Sequence, residues 1–290
     1  MSDPETTDPA VLPQLAAHGW TVERVARRSG RLWVAGGADA AVDYPATGHE
    51  LLAGIEDESA WYLERNRLVS EALAGDGLPS SLLEVGAGNG VVAAHLRRLG
   101  VDAVAVEPGR GAAEFAAQRG VPTICGLLED LELPAGTIEA AGVFDVLEHL
   151  EDPGPLLAEL HRILIGGGRL AVTVPALPAL WSHADEVAGH HRRYRRETLT
   201  RSLADVGFEV RRCNYAFGTL VPPVALARTL PHRLGRQRSD ADESEAATRQ
   251  VAGYGDLGRH VARAAFAAER AVRRRVDVPF GTSLVAVFVR

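Results

Sequence analysis

One glycine-rich segment, residues 81–90, constrains the fold of this chain more than any other part of its sequence. Residues 81–86 form an apolar run that predicts a buried strand, glycines follow at alternating positions, and residues 91–99 have helical spacing. Glycine lets the backbone turn tightly and approach a ligand closely. The first N–H groups of the helix point at whatever occupies the turn. The segment therefore predicts a nucleotide-type pocket.

The glycine spacing and two acidic residues narrow the type of pocket. The glycines follow G-x-G-x-G, and Val91 stands where the dinucleotide fingerprint has its third glycine. Glu84 lies inside the first strand, and Glu107 ends the next one. In this order the elements resemble the first motifs of class I S-adenosylmethionine (SAM) methyltransferases, and the chain is similar to their small-molecule families of types 11 and 12. The structural alternative is a glycine turn in another doubly wound domain.

Two later segments resemble further motifs of that family. In residues 127–134, Asp130 stands where the family has the acid that meets the adenine amino group, and Leu131 would supply a backbone N–H, while Glu129 and Glu132 face solvent. Asp145 ends the fourth strand, which faces the transferable methyl. The resemblance implies that the cofactor-binding residues are Arg65, Glu84, Gly86, Ala87, Gly88, Glu107, Pro108, Asp130, Leu131 and Asp145. Of these, Glu107 would accept the ribose hydroxyls and Arg65 would pair with the SAM carboxylate.

Histidines follow the fourth and fifth strands, where the family places its acceptor. SAM is already activated, so the protein mainly aligns the reactants, excludes water and, where needed, removes a proton. Imidazole titrates near neutral pH and suits that task. The candidate catalytic residues are His149, His190, His191 and Tyr194, with His183 as a further candidate base and Arg192 and Arg193 as partners for an anionic group. The alternative is that residues 190–194 brace a lid against the core.

The segment Asp145-x-x-Glu148-His149 also resembles the E-x-x-E-H metal motif of some quinone and RNA-end methyltransferases, with Asp in place of the first Glu. A divalent ion would accept two carboxylates and an imidazole, and His190 or His191 would complete the set. Metal-free relatives carry a similar segment, so the need for a metal stays open.

Strands alternate with helices through the middle of the chain, which predicts βαβ units and a parallel sheet. The predicted class is α/β, a doubly wound Rossmann-like fold whose seven-stranded sheet has an antiparallel last strand. Strands are predicted at 81–86, 102–107, 121–125, 139–145, 168–174, 208–215 and 283–289. Helices are predicted at 51–74, 90–99, 110–119, 153–164, 194–206 and 257–275.

Both ends of the chain elaborate this core. We expect a disordered tail over 1–12, an N-terminal hairpin and cap helix over 13–78, the SAM-binding core over 79–215, and a C-terminal part over 216–290. The hairpin strands are expected at 20–26 and 31–35. The C-terminal part holds an apolar segment, a mobile linker over 236–250, a helix and a final edge strand. Its apolar stretch, 216–234, suits a greasy acceptor, a partner, a membrane surface or the core.

Composition excludes several function classes. The chain of 290 residues has a net charge of −7 and no basic block, so we expect no nucleic-acid partner. All 31 basic residues are arginine, which excludes a P-loop lysine and Schiff-base chemistry. Cys125 and Cys213 are too few for a disulfide framework or a zinc site. The acidic N-terminus is no signal peptide and no apolar run reaches transmembrane length, so we expect a cytoplasmic protein.

The sequence therefore predicts a SAM-dependent methyltransferase that acts on an oxygen or nitrogen atom of a small acceptor, apolar or anionic. One alternative is a repurposed or non-catalytic methyltransferase fold, serving as a partner subunit or a cyclase. An NAD-dependent oxidoreductase is less favoured, because the G-x-G-x-G spacing and the Asp130 loop argue against it. The sequence specifies neither the acceptor nor the oligomeric state.

Overall fold

The computed structural model describes residues 12–36, 54–236, 239, 255–273 and 275–290. Two of the predicted segments lie wholly or mostly outside these residues, namely the disordered tail over 1–12 and the mobile linker over 236–250. The first residues of the helix predicted over 51–74 also lie outside them. No helix within the described ranges is long and apolar enough to span a membrane.

The fold is built on one nine-stranded sheet with the strand order β1-β2-β5-β4-β3-β6-β7-β9-β8. The strands are β1 Ala26–Ser29, β2 Leu32–Ala35, β3 Ser81–Val85, β4 Asp102–Glu107, β5 Thr123–Cys125, β6 Ile138–Phe144, β7 Leu164–Pro175, β8 Glu209–Ala216 and β9 Ser283–Val289. Strands β3 to β7 pair in parallel, and β9 is antiparallel to both of its neighbours. The predicted Rossmann-like α/β class is confirmed, while the sheet has nine strands rather than seven.

The N-terminal hairpin supplies the two additional strands. It joins the sheet through β2, which pairs in parallel with β5. The first hairpin strand was expected at 20–26, but the strand runs over Ala26–Ser29 and Val22–Arg24 forms a 3-10 turn. Trp20 and Val22 alternate with polar residues as in a strand. Both side chains are nevertheless buried without forming a strand, because the Trp20 indole N–H donates to a backbone carbonyl of the core. Alternation alone therefore misplaced this strand.

Helices connect the strands and cover both faces of the sheet. They are α1 Ala60–Leu73, α2 Val91–Arg98, α3 Arg110–Gln118, α4 Gly154–Ile163, α5 His183–Val187, α6 Arg196–Ala204, α7 Val221–Val224, α8 Leu230–Arg233 and α9 Gly255–Arg273. A π-helical turn, Ala225–Thr229, joins α7 to α8. Pro231 lacks the N–H that an α-helix needs at this place, which accounts for the wider turn.

The core lies in two layers because successive strand residues point to opposite faces of the sheet. On β3, Leu83 packs in one cluster with Leu157 and Leu160 of α4. Leu82, one residue earlier, packs in the other cluster with Leu73 of α1 and with α2. Burying large aliphatic side chains of this kind stabilises the fold by about 1.5–3 kcal/mol each. The helices on both faces make the sheet doubly wound.

The strand order reverses between β3 and β6, and this places the loops that follow them side by side. In open α/β sheets a ligand binds at such a switch point, beyond the carboxyl ends of the strands. The final strand, β9, was expected at the sheet edge, but it lies between β7 and β8, so that β8 is the edge strand. The sequence of β9, SLVAVFV, is almost entirely apolar and buried, as expected for a strand with a neighbouring strand on each side.

Candidate active site

The glycine loop after β3 has a backbone that only glycine adopts easily. Gly86, Gly88 and Gly90 all have positive φ, at 70°, 53° and 72°. A Cβ on Gly86 would lie 2.6 Å from Cγ2 of Val146, and one on Gly90 would lie 2.9 Å from Cα of Ala116. The loop is therefore pinned between the turn after β6 and helix α3, with helix α2 starting directly from it.

Glu107, at the end of β4, holds this loop from the other side. The side chain is 5% exposed, and its Oε2 and Oε1 accept the N–H groups of Gly88 and Gly109, each at 2.7 Å. Burial raises the pKa of Glu107, and the two N–H donors counteract that rise. Each carboxylate oxygen has two lone pairs, so Glu107 retains capacity for the ribose hydroxyls that the sequence assigned to it. The predicted neighbours Ala87 and Pro108 flank the same place: the former is buried, the latter half-buried.

Arg65 reaches over this region from the cap helix α1. Its Nη1 lies 2.7 Å from Oδ2 of Asp145, and its guanidinium carbon lies 5.2 and 5.0 Å from the ring centroids of Trp61 and Tyr62. Asp145 follows β6 with a positive φ of 57°. The predicted partner of Arg65 was the SAM carboxylate, whereas its partner in the structure is Asp145. The pair ties α1 to the switch point.

Glu84 is the buried acid beneath the loop. It is 1% exposed, and burial raises its pKa to about 8, although the charge of Arg65 lowers it in part. Among the described residues, Oε2 of Glu84 has no hydrogen-bond partner. A buried acceptor without a donor is costly, and a cationic or N–H-bearing ligand in the pocket would relieve that cost.

Asp130 lies in the 3-10 turn Glu129–Leu131 on the adenine side predicted from the sequence. Its Oδ2 accepts the N–H of Leu127 at 3.0 Å, and a Cβ on Gly36 would lie 2.5 Å from its carboxyl carbon. The end of the hairpin thus touches the Asp130 carboxylate. Glu129 and Glu132 are exposed, as expected.

Leu131 is anchored within the Asp130 loop by its backbone and its side chain. Its backbone N–H, expected to meet adenine, donates to the carbonyl of Leu128 at 3.2 Å within the same turn. Its side chain is fully buried, and its own carbonyl accepts the indole N–H of Trp20 at 2.7 Å. Leu131 therefore positions the Asp130 loop from the core, and its contact with adenine stays a prediction.

Two of the four candidate catalytic residues come together after β6 and β7. His149 lies in the 3-10 turn Leu147–His149, and its ring centroid is 4.7 Å from that of His190, at an angle of 79°. Nδ1 of His190 lies 3.1 Å from Oδ1 of Asp185. Burial and the neighbouring His190 lower the pKa of His149 to about 4, so this ring is neutral at neutral pH.

Asp185 organises the histidine pair and was not identified from the sequence as a site residue. Its side chain is 1% exposed, and Oδ1 also accepts Nε–H of Arg193 at 2.7 Å. Oδ2 accepts the N–H of Ser182 at 2.9 Å in a capping box that starts α5. Burial would raise the pKa of Asp185, but the bonds and charges of His190 and Arg193 outweigh it and lower that pKa. The only sequence signal was the S-x-x-D spacing of a helix start.

The other two candidates hydrogen-bond to backbone carbonyls just before His149. His191 is exposed, and its backbone N–H donates to the carbonyl of Glu148 at 2.7 Å. Tyr194 is 4% exposed, its hydroxyl donates to the carbonyl of Leu147 at 3.2 Å, and burial raises its pKa to about 12. A raised pKa makes this phenol less ready to give up its proton at neutral pH. Its place fits the bracing alternative, and the catalytic role expected for Tyr194 stays a prediction.

The remaining polar residues of the segment bind protein groups. His183 lies 2.9 Å from Glu186 on α5, and Arg192 donates to the carbonyls of Leu150 and Glu151. Arg193 is held by Asp185. These side chains therefore bind protein groups and do not line an open acceptor site.

Glu148, His149 and His190 form a cluster with the composition of a metal site. One ligand atom from each lies within 4.8 Å of the others. Glu148 is 1% exposed, and burial, reinforced by the charge of Asp145, raises its pKa well above the ordinary value. In the described part of the chain its Oε2 lacks a hydrogen-bond partner. Of the set predicted from the sequence, Asp145 pairs with Arg65 instead, and His190 occupies the third place.

A second network, missed from the sequence, fixes the residues that precede α1. Asn89 of the glycine loop donates to both carboxylate oxygens of Glu56 at 3.2 Å. Nη2 of Arg119 lies 2.9 Å from the same carboxylate, which is 4% exposed. The network ties the cap to the loop across more than 30 residues of sequence, a separation that no local pattern signals.

Known proteins are similar to this chain in sequence and in fold. Residues 60–212 match the family described as the methyltransferase domain. A probable SAM-dependent methyltransferase of Mycolicibacterium smegmatis is 29% identical over 173 residues, which cover 57% of this chain and 66% of the relative. One of Mycobacterium tuberculosis is 28% identical over 177 residues, 59% of this chain and 64% of the relative. The chain thus spans just under two thirds of the length of each relative.

Among solved structures, the phosphoethanolamine N-methyltransferase 2 of Haemonchus contortus in complex with SAM has a TM-score of 0.54 at 14% identity. The alignment covers 86% of this chain and 58% of that one, and it is a likeness of fold. The family match spans more than half of the chain, from the start of α1 into β8, and so includes the glycine loop and the histidine pair. The family predicted from the sequence and its cofactor, SAM, are confirmed: this chain belongs to the SAM-dependent methyltransferases.

Proposed function

We propose that this protein transfers the methyl group of SAM to an oxygen or nitrogen atom of a small acceptor, and that His190 removes the proton of that atom. The observation that carries the proposal is the Asp185–His190 pair, held beside His149 where β6 and β7 end. The same edge of the sheet carries the glycine loop. Donor and acceptor would therefore meet over Asp145.

The pocket around the glycine loop fits SAM. Gly86 and Gly88 offer a backbone without side chains, Glu107 offers acceptors for the ribose, and Glu84 has a buried oxygen without a partner. SAM carries an ammonium and a sulfonium, which a carboxylate stabilises. When bound, the cofactor supplies an activated methyl group. The chain binds and orients it, and Arg65 closes the pocket from α1.

His190 has the geometry of a general base. A proton on Nδ1 directed at Asp185 Oδ1, 3.1 Å away, leaves the lone pair of Nε2 available. With SAM bound, the acceptor would gain the methyl group as the bond from that methyl to sulfur breaks and S-adenosylhomocysteine leaves, and Nε2 of His190 would take the proton that the acceptor loses. The imidazolium that forms is stabilised by the carboxylate of Asp185, which the guanidinium of Arg193 holds in place. His149, neutral at neutral pH, packs edge-on against the base and orients it.

Labelled-methyl transfer tests the proposal. Wild type and His190→Ala would be compared on a panel of phenols, amines and lipid-like alcohols, with the dissociation constant of S-adenosylhomocysteine measured for both. Loss of a general base lowers the rate by ~100-fold or more, and cofactor affinity should stay the same. His191→Ala should keep its rate, because that ring lies at the surface. Transfer at the wild-type rate by His190→Ala on every accepted substrate would refute the role of His190.

A second candidate for the same site is favoured by the cluster of Glu148, His149 and His190. One carboxylate and two imidazoles suit a divalent transition metal and leave positions open for an acceptor oxygen. Glu148, with its buried oxygen lacking a partner, would be ionised by such an ion. Metal analysis of the purified protein, before and after chelation, distinguishes the two. Stoichiometric metal that Glu148→Gln removes would favour this candidate, and its absence would favour the general base.

The alternatives from the sequence make opposite predictions. A cyclase or a partner subunit on this fold would bind S-adenosylhomocysteine and transfer no labelled methyl to any acceptor. An oxidoreductase would bind NAD instead. The cytoplasmic location and the absence of a nucleic-acid partner stay predictions, to be checked by cell fractionation and by a binding assay with duplex DNA and RNA.

A further inference from the structure

Helix α9 carries apolar residues on the side that faces away from the protein. Its inner side packs Phe266, 4% exposed, against Phe217, with ring centroids 5.2 Å apart. On the opposite side, Leu257 is 79% and Val261 61% exposed, and Val272 continues the same face three turns later. Ala264 and Ala268 fill the exposed positions between them. A surface helix of a globular protein normally turns polar residues outward. The exposed apolar residues of α9 therefore indicate a binding surface.

The helical stretch 221–234 repeats the pattern. Leu226, Leu230 and Leu234 follow one another at intervals of four residues and are all exposed, the first of them by 67%. The stretch is anchored from beneath, since the hydroxyl of Thr229 donates to the carbonyl of Leu180 at 3.0 Å. The leucines are therefore displayed outward from an ordered support.

Both segments are attached at the end of the molecule that carries the candidate active site. β8 is parallel to β7, because both are antiparallel to β9, so the turn Gly218–Leu220 after β8 lies at the carboxyl edge of the sheet. Helix α7 contacts this turn, and so does α9, whose Glu269 accepts the N–H groups of Gly218 and Thr219 at 3.0 Å. We call the exposed leucines and valines of these two segments the apolar face; its members are Leu226, Leu230, Leu234, Leu257, Val261 and Val272.

The two segments that carry the apolar face have more arginines than acidic residues. Residues 221–236 contain three arginines and no acidic residue, and α9 contains four arginines against two acids, in a chain with a net charge of −7. Arg270 pairs with Glu64 and Arg259 approaches Glu58 at 3.5 Å. Arg263 on α9 and Arg236 just after Leu234 are exposed. Exposed leucines and valines on segments with excess positive charge complement a surface that is apolar within and anionic outside.

We infer that the apolar face docks on a membrane surface that contains anionic lipids. Leucines on an amphipathic helix enter the boundary between headgroups and acyl chains while arginines bind the headgroup phosphates. A second copy of this chain fits less well, because a two-fold interface would set each patch against itself and bring segments with excess positive charge together. The inference does not depend on the proposed methyl transfer.

Co-sedimentation of the full chain with vesicles tests this surface. We expect the wild type to bind vesicles of phosphatidylcholine with phosphatidylglycerol, to bind pure phosphatidylcholine vesicles far more weakly, and to lose affinity as salt is raised. The double variant Leu226→Glu with Leu257→Glu should bind at least about tenfold more weakly. Arg236→Glu and Arg263→Glu should each cost about fivefold or more.

Matched controls lie at the other end of the molecule. Helix α2 returns the chain to the amino edge of the sheet, and Arg98 and Leu99 end it there with exposed side chains. Leu99→Glu and Arg98→Glu should therefore bind vesicles like the wild type. Thermal melting of every variant checks that the fold is intact, and all six altered positions are exposed.

Three results would overturn the inference. These are failure of the wild type to bind anionic vesicles, equal loss of binding in the control variants, and equal binding to vesicles with and without phosphatidylglycerol. If the wild type is a dimer that the leucine variant dissociates, with no vesicle binding by either, the face is an interface between copies and the membrane surface is ruled out.

Discussion

Replacement of Glu107 by glutamine changes one atom and removes the charge that holds the glycine loop. In the wild type the two carboxylate oxygens accept the N–H groups of Gly88 and Gly109 at 2.7 Å each, in a site that is 5% exposed. Glutamine keeps one oxygen and turns an NH2 group toward the other N–H, so two donors face each other. A hydrogen bond to a charged group contributes about 1.5–3 kcal/mol.

The magnitude follows from these contacts. One charge-assisted bond becomes a neutral one and the other is lost, which should lower the free energy of unfolding by about 2–3 kcal/mol. For a chain of this size that corresponds to a fall in the melting temperature of roughly 3–5 °C. The loop is also the proposed cofactor cradle, so the dissociation constant of S-adenosylhomocysteine should rise by about 10- to 100-fold.

Differential scanning calorimetry and isothermal titration measure the two effects. The matched control is Glu114→Gln, because Glu114 lies on α3 in an exposed i,i+4 pair with Arg110, worth at most about 0.5 kcal/mol. If Glu107→Gln melted and bound S-adenosylhomocysteine like this control, Glu107 would neither hold the loop nor reach the ribose, and the description of the cofactor pocket would be wrong.

Three further changes test separate parts of the structure. Burial raises the pKa of Glu84 to about 8, so the folded protein holds a proton that the unfolded chain releases near pH 4.5. The free energy of unfolding, compared with that of Glu84→Gln, should therefore fall by about 1.4 kcal/mol per pH unit between pH 5 and 7. Parallel stability curves of the two proteins would contradict this. Asp185→Asn weakens the support of His190, so kcat should fall by ~10-fold or more while S-adenosylhomocysteine binds unchanged; an unaltered kcat would separate Asp185 from catalysis. Trp20→Phe removes the buried 2.7 Å bond to Leu131 and should cost about 1–3 kcal/mol by chemical denaturation, whereas a neutral result would leave the N-terminal turn without a role in stability.

The central sheet was predictable because its signals are local. Each parallel strand is a short apolar run, and each following helix has its own apolar face, so alternation and period sufficed for β3 to β7. The N-terminal hairpin shows the limit of such patterns. Trp20 and Val22 alternate like strand residues. The hydrogen bond from the Trp20 indole to a carbonyl 111 residues later instead buries this segment as a turn.

The positions in the fold of the residues proposed to bind the cofactor were easier to predict than those on the acceptor side, for a related reason. Gly86, Gly88 and Glu107 follow their strands directly, so their positions in sequence fix their positions in the fold. The pairing of Arg65 with Asp145 joins residues 80 apart, and no periodicity reports it. Among the histidines, exposure and hydrogen bonding separate His190 from His191, although the two are adjacent in sequence.

Asp185 shows why a polar residue with two roles is easily overlooked. The S-x-x-D spacing is an ordinary helix start, and one oxygen of Asp185 does cap α5. The other oxygen orients His190, which lies just beyond the helix that Asp185 starts. A sequence pattern identifies the first role, and only the fold brings the second into view.

Calorimetric titration of the wild-type protein with S-adenosylhomocysteine and with NAD, repeated on Glu107→Ala, tests the central claim most directly. The account predicts one S-adenosylhomocysteine per chain, no heat from NAD, and a marked loss of affinity in a variant that still folds. Binding of NAD, or undiminished binding of S-adenosylhomocysteine by folded Glu107→Ala, would contradict it.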